Sequence, residues 1–197
     1  DMTSIIQSYI DAANVKYLTS LSTRYYTHLS KIIVPAGRYK VNGLYLKSGV
    51  TIETIGNLIP LTSTSNIIYL AGSYIEIEGT LNIDCVDQSN YNGIPISIDT
   101  TDATTVALLA SAPFNRINYV TIENLNIKGN TTGTTSTGIN INSNGSTKGI
   151  AWVRINNGTI RDFTNDIIVT TSNGGYFNSN IINVSSTAGI TGNANTS

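Results

Sequence analysis

Apolar residues recur at helical spacing near the start of the chain, over residues 3–14. Thr3 or Ser4 precedes the apolar positions and can act as an N-cap, because its side-chain oxygen can accept a hydrogen bond from the first helical turn. The apolar face at this spacing consists of Ile5, Ile6, Tyr9, Ile10 and Ala13. The spacing therefore predicts one amphipathic helix.

After about residue 30 the pattern changes to short strands, and from about residue 67 these strands repeat. A short Ile-x-Ile unit occurs at 96–98 and 139–141, with a related unit at 167–169. A longer unit is repeated at 77–84, 122–128, 155–161 and 178–185. Alignment of the longer unit gives an apolar column of Ile83, Ile127, Ile160 and Val184, and an asparagine column of Asn124, Asn157 and Asn180. Such columns indicate strands that pair in parallel with their own copies.

These repeats predict an all-β fold, a parallel β-helix (solenoid) that is preceded by the N-terminal amphipathic helix. Residues 1–30 would form that helix and a linker, and residues 31–197 the coils of the solenoid. The chain opens without Met and ends within a coil pattern, so we expect a fragment that is truncated at its C-terminus. A β-sandwich or jelly roll is the alternative, because Asn42-Gly43, Asn92-Gly93 and Asn144-Gly145 are typical of hairpin turns.

Composition narrows the function classes. Charged residues make up only 12% of the chain, whereas Ile (29 residues) and Asn (24 residues) are abundant. Eleven Lys and Arg residues against 12 Asp and Glu residues give no basic excess, so we expect no binding to nucleic acid. No apolar run approaches the ~20 residues of a membrane span, so we expect no membrane insertion. Cys85 is the single cysteine, which excludes an intrachain disulfide.

Three segments carry a family resemblance: TSIIQSYIDAA from residue 3, IIVPAGRY at 32–39, and LYLKSGVTIE at 44–53. In this order they resemble the opening of the pectate-lyase-like right-handed β-helix superfamily, which includes bacteriophage tailspikes. The resemblance covers residues 1–53, and only the coil pattern continues beyond them. The resemblance implies that the solenoid is a right-handed parallel β-helix and that the helix at residues 3–14 is a capping helix, which covers the first coil.

The family resemblance and the charge-poor composition together favour a phage tailspike module that binds a bacterial surface glycan, with or without cleaving it. The resemblance implies a homotrimer and a location in the virion tail, or otherwise outside the cell. Two alternatives stay open. One is a structural spike segment without enzymatic activity, and the other is a secreted polysaccharide lyase or hydrolase that acts as a monomer.

Two carboxylates that flank a glycosidic bond can hydrolyse it. Glu78 and Glu123 occupy the same position in aligned units, and both point away from the apolar column. Asp99 ends the strand that lies between them in the chain and is a third candidate. A lyase would instead use a basic residue, such as Lys128 or Arg161. Solvated surface residues are the plainer interpretation of the carboxylates, and an ion-pair ladder with Asp84 is the plainer interpretation of Lys128 and Arg161.

Aromatic rings can pack on sugar rings because one side chain combines a broad apolar face with a polar edge. Tyr91, Tyr119 and Tyr176 lie in or beside turns and are candidate sugar-binding residues, with core or subunit contacts as the alternative. The sequence contains no His/Cys cluster for zinc and no acidic run with calcium-loop spacing. We therefore expect no cofactor and no bound metal.

Overall fold

A computed structural model describes residues 1–22, 29–112, 115–144, 149–172, 177–178, 181–187 and 190–194. Side chains are described in these ranges except at residues 22, 144, 171–172, 177–178 and 190–194. In the described part of the chain the two helices are α1 (Thr3–Ser22) and α2 (Ala103–Ser111). The strands are β1 (Ser30–Val34), β2 (Arg38–Val41), β3 (Leu44–Leu46), β4 (Val50–Thr54), β5 (Asn57–Pro60), β6 (Ile68–Leu70), β7 (Ile75–Gly79), β8 (Leu81–Asp84), β9 (Ile96–Asp99), β10 (Ile117–Ile122), β11 (Leu125–Lys128), β12 (Thr137–Asn144), β13 (Ile150–Arg161), β14 (Asn165–Ser172), β15 (Phe177–Asn178), β16 (Ile181–Ser186) and β17 (Ile190–Ala194).

The strands form two sheets, and the described pairs are parallel. The larger sheet has 11 strands with the main order β1-β4-β7-β10-β13-β11-β8-β5-β2. We call β1, β4, β7 and β10 the first wing of this sheet, and β2, β5, β8 and β11 the second wing. Strand β13 joins the wings, because its start pairs with β10 and its end pairs with β11. The smaller sheet has six strands in the order β17-β14-β12-β9-β6-β3.

This arrangement corrects the predicted fold class. The fold is not an all-β right-handed β-helix solenoid but a mostly parallel β/α-type arrangement: a large sheet curled into a half-barrel, a second parallel sheet, and two helices. The prediction failed because aligned columns identify neighbours within a parallel sheet but do not determine how many sheets form or how far each one curls. The continuous 12-residue strand β13, which closes the larger sheet at one end, leaves no mark on that alignment.

The predicted apolar column is confirmed for three of its four members. Ile127 pairs in register with Ile83 on one side and with Ile160 on the other, and all three side chains are buried. Val184 instead pairs with Gly158, because the register shifts between Asn156 and Gly158. The shared core is therefore built from isoleucine columns that face inward from both wings, as the branched side chains of parallel strands favour.

Helix α1 is present as predicted, but it is longer and buries a narrower stripe. Its buried residues are Ile6, Ile10, Ala13 and Tyr17. Ile5 and Tyr9, which were expected on the same face, are 49% and 62% exposed. Spacings of three and four residues keep only one line of side chains against the sheets, so neighbouring apolar residues turn outward.

Side chains of helix α1 also form hydrogen bonds with the backbone at the β3 edge of the smaller sheet. The side-chain Oε1 of Gln7 accepts a hydrogen bond from the Tyr45 N–H at 2.9 Å, and Nε2 of Gln7 donates to the Tyr45 carbonyl at 3.2 Å. The Asn14 side chain donates to the Ser48 carbonyl at 2.8 Å. The Gln7 amide thus makes the two hydrogen bonds that a neighbouring strand would make with β3.

Helix α2 was not predicted. Asp102 caps it, since its carboxylate accepts a hydrogen bond from the Thr105 N–H at 2.8 Å. An aspartate followed by an Ala/Leu-rich stretch is a helix-start signal that the sequence does carry. Among the described residues, neither helix is long and apolar enough to cross a membrane.

Candidate functional site

Three outward-facing columns run across the first wing and onto β13, because side chains alternate between the two faces of a strand. Their members come from β7, β10 and β13, or directly precede or follow these strands. The columns are Tyr74, Tyr119 and Trp152; Glu76, Thr121 and Arg154; and Glu78, Glu123 and Asn156. They form one polar and aromatic surface, which we call the first-wing face.

The aromatic column is continuously stacked. The ring centroids of Tyr74 and Tyr119 are 4.8 Å apart, and those of Tyr119 and Trp152 are 4.9 Å apart, with interplanar angles of 18° and 5°. Both faces of the Tyr119 ring are therefore covered, and this residue presents its edge. Trp152 has one ring face against Tyr119 and is 43% exposed.

All three aromatic residues adopt the left-handed backbone region, with φ of 58° at Tyr74, 54° at Tyr119 and 50° at Trp152. Bulky residues rarely adopt this region, which costs roughly 1–2 kcal/mol per residue. Gly49 precedes β4 at the equivalent place, with φ of 75°. A Cβ atom there would lie 1.9 Å from the ring of Tyr17, so the helix fills the position that an aromatic side chain occupies in the following strands.

A groove of about 270 Å³ lies at the Trp152 end of the first-wing face. The described residues that line it are Tyr119, Thr121, Trp152, Arg154 and Ile181. The groove combines two aromatic rings, a hydroxyl, an apolar side chain and a guanidinium. Ligand sites commonly have this composition, in which apolar lining provides contact area and a few polar groups fix the orientation of the ligand.

The third column, Glu78, Glu123 and Asn156, is called the carboxylate column, and its two carboxylates have partners of their own. The Nζ atom of Lys31 lies 2.6 Å from a carboxylate oxygen of Glu53 and 2.6 Å from one of Glu78. Hydrogen bonds to Glu53 and Glu78 raise the pKa of Lys31 above its ordinary value. Glu123 accepts a hydrogen bond from the Asn156 amide at 3.4 Å. The carboxylate of Glu78 thus reaches towards β1, whereas that of Glu123 reaches towards β13.

The structure places the three candidate catalytic residues as follows. Glu78 lies on β7 and Glu123 directly follows the adjacent strand β10, since Ile77 pairs with Ile122. The carboxylate of Glu78 contacts Lys31, whereas that of Glu123 contacts Asn156. Asp99 belongs to the smaller sheet, where its carboxylate accepts hydrogen bonds from the N–H and hydroxyl of Thr101, both at 2.7 Å. The structure therefore places Glu78 and Glu123 at neighbouring positions of one sheet and Asp99 on the other sheet.

The basic residues of the lyase alternative lie elsewhere. Lys128 and Arg161 are in parallel register at the end of the second wing, beside Asp84. Within the described residues, the cation nearest to Asp84 is Arg38, at 3.9 Å. No three His, Cys, Asp or Glu residues of the described part of the chain lie close enough to hold a metal ion.

The candidate sugar-binding tyrosines that the structure describes differ in their exposure to solvent. Tyr91 is fully buried, and its hydroxyl donates to the Ser65 carbonyl at 2.8 Å, so its ring is not accessible to a ligand. Tyr119 lies on the first-wing face and is 43% exposed. Tyr176 and Asn180 lie outside the described residues.

Comparison with known proteins adds no relative: no family model, curated protein or solved structure matches this chain. The site is therefore argued from its geometry.

Sequence reasoning missed Tyr74, Trp152 and Arg154. The signal was available, because the segments SYIEIEG, NYVTIEN and AWVRINN begin at residues 73, 118 and 151 and align without gaps. Extending the long repeat by four residues towards the N-terminus would have revealed the aromatic column. It would also have placed Arg154 in the same column as Glu76 and Thr121.

Proposed function

We propose that this chain is a binding module for a bacterial surface polysaccharide, and that the groove on the first-wing face makes the contact. The observation that carries the proposal is the aromatic column, in which Tyr74, Tyr119 and Trp152 all adopt a costly backbone conformation. Repeated strain at one position of successive strands is typical of a functional constraint. The exposed end of this column opens into the groove beside Arg154 and Thr121.

The chemistry of the groove suits a sugar chain. Pyranose rings have apolar C–H faces that pack on aromatic rings, and their hydroxyl groups need hydrogen-bond partners at the rim. Trp152 offers an apolar surface, and the hydroxyl of Thr121 and the guanidinium of Arg154 offer polar partners. An open groove on a sheet face accepts a long chain from the side, as a polymeric ligand requires.

The proposal concerns binding rather than cleavage. Glycoside hydrolysis needs two carboxylates that face one bond. Glu78 is ion-paired with Lys31, and Glu123 is hydrogen-bonded to Asn156 on the opposite side. This arrangement supports a structural role for the carboxylate column.

We place the module in a phage spike, for which the charge-poor, Asn-rich composition and the resemblance of residues 1–53 are the support. Exposed apolar side chains support contact with further copies, as in a trimer: Ile33 is 60% exposed and Ile55 is 58% exposed. Light scattering at micromolar concentration measures this mass directly. A monomeric mass would contradict the trimer for this chain.

The test of binding is an array of isolated capsular and O-antigen polysaccharides, with affinities measured for the wild type and for Trp152→Ala. We expect at least one polysaccharide to bind, and Trp152→Ala to weaken binding by about thirtyfold, which corresponds to about 2 kcal/mol for a central aromatic contact. Thr159→Ala is the control, because Thr159 lies on the same strand but on the second wing. Absence of binding, or an equal affinity for Trp152→Ala and the wild type, would overturn the proposal.

A further inference from the structure

Arg154 is the cation of the groove, and none of the ion pairs in the described part of the chain involves it. Its register neighbour on β10 is Thr121, which is uncharged, and on β16 it is Ile181, which is apolar. Glu76 lies in the same column but two strands away, at roughly 10 Å by strand spacing. The positive charge is thus held beside neutral neighbours.

The nearest acidic residue on the adjacent strand is committed elsewhere. Glu123 lies diagonally from Arg154 and accepts its hydrogen bond from Asn156. Lys31, a cation on β1 of the first wing, is held between Glu53 and Glu78. Arg154 therefore presents an uncompensated charge in a groove whose walls are partly apolar, where an ionic hydrogen bond is stronger than in open water.

We propose that Arg154 binds the carboxylate of an acidic sugar residue whose ring packs against Trp152; this inference rests on the proposed function. A guanidinium donates two parallel hydrogen bonds to a carboxylate in a fixed planar geometry. Residues two apart on one strand face are about 7 Å apart, so one sugar residue can reach both side chains. The ligand is accordingly a polysaccharide that carries uronic or sialic acid residues.

A single cation also favours a carboxylate over a doubly charged phosphate monoester. A carboxylate has one negative charge, which Arg154 balances alone. A phosphate group with a higher charge would require further cations, and Arg154 is the only one among the described residues that line the groove. A neutral glycan would leave the guanidinium without an ionic partner.

The experiment compares hyaluronan, alginate and polysialic acid with the same polymers after chemical reduction of their carboxyl groups. We expect at least one native polymer to bind, and its reduced form to bind about tenfold to one-hundredfold more weakly, the range for hydrogen bonds to charged groups. Arg154→Gln should weaken binding of the native polymer by a similar factor and remove the difference between the two forms. Arg154→Lys should recover part of the affinity, because it keeps the charge and loses the planar fork.

Arg161→Gln is the matched control, since Arg161 is an exposed arginine on the same strand but on the second wing. It should leave both affinities unchanged. Equal binding of native and reduced polymers by the wild type, with loss of both in Trp152→Ala, would overturn the carboxylate inference and leave the proposed function intact. Absence of binding to every polymer here and in the array would overturn both.

Discussion

The outer surfaces of the two wings meet on one strand, β13, yet they are built differently. On the second wing, Asn126 donates to Asn82 at 3.1 Å, and Thr159 donates to Asn126 at 3.1 Å, so side chains of neighbouring strands satisfy one another. On the first wing, Trp152 and Arg154 face a groove instead. Similar repeats therefore produce a surface whose side chains hydrogen-bond to one another on the second wing and a surface with an open groove on the first.

The largest expected effect comes from breaking the second wing alone. Ile127→Ala removes the buried centre of the Ile83–Ile127–Ile160 column and should lower the free energy of unfolding by about 2–5 kcal/mol. Urea denaturation measures this loss. Polysaccharide affinity of the folded protein should stay at the wild-type value, because the groove lies on the other wing.

The exposed Val15→Ala is the control and should change stability by about 0.5 kcal/mol or less. The reactivity of Cys85, which directly follows β8, gives a second measure of how stable the second wing is. Burial raises the pKa of its thiol above the ordinary value, so alkylation at pH 8 should occur only when this wing opens. Ile127→Ala should accelerate that reaction, and an unchanged rate would show that the column does not hold the second wing together.

A smaller effect is expected at the corner between the wings. Gly79, Asn124 and Asn157 occupy equivalent corners, with φ of 72°, 40° and 52°. Asn157→Val should cost about 1–2 kcal/mol, because a β-branched residue is strained in this region, whereas Asn157→Gly should fold as well as the wild type. Thermal unfolding of the pair measures the difference, and equal melting temperatures would mean that the corner is not set by backbone strain.

The smallest effect is expected when an exposed ion pair of the first wing is removed. Glu78→Gln removes one of the two carboxylates that hold Lys31, and exposed ion pairs contribute little. Melting temperature and polysaccharide binding should both match the wild type, and Glu53→Gln should behave in the same way. Loss of polysaccharide turnover in Glu78→Gln, with binding kept, would instead assign a catalytic role to this carboxylate.

Strand pairing could be predicted from the sequence, but the way in which β13 joins the two wings could not. Equivalent positions in the aligned units predicted that Ile83, Ile127 and Ile160 would be neighbours, because identical side chains stack in parallel strands. It did not predict that β13 would continue through Asn157 and join the wings, since a residue in a left-handed conformation either ends a strand or bends it.

The candidate site, like the fold, was predictable from the sequence only in part. The outward direction of Glu78 and Glu123 followed from alternation along a strand, but the ion pair with Lys31 depends on a residue some 47 positions earlier in the chain. Tyr91 was expected at the surface because it lies beside a turn, and its burial comes from packing that no local pattern encodes. Trp152 and Arg154 were visible in the repeat and were missed because the alignment stopped too early.

The amide of Gln7, which completes the edge of β3, has a consequence for how the chain folds. Helix α1 precedes its partners β1, β3 and β4 in the chain, so it can dock only after they have been synthesised, and until then β3 has no neighbour at this edge. During that interval the edge of β3 is an open template for a strand of another molecule. Aggregation during folding is thus a competition between a unimolecular docking step and a bimolecular encounter, and dilution favours the native chain.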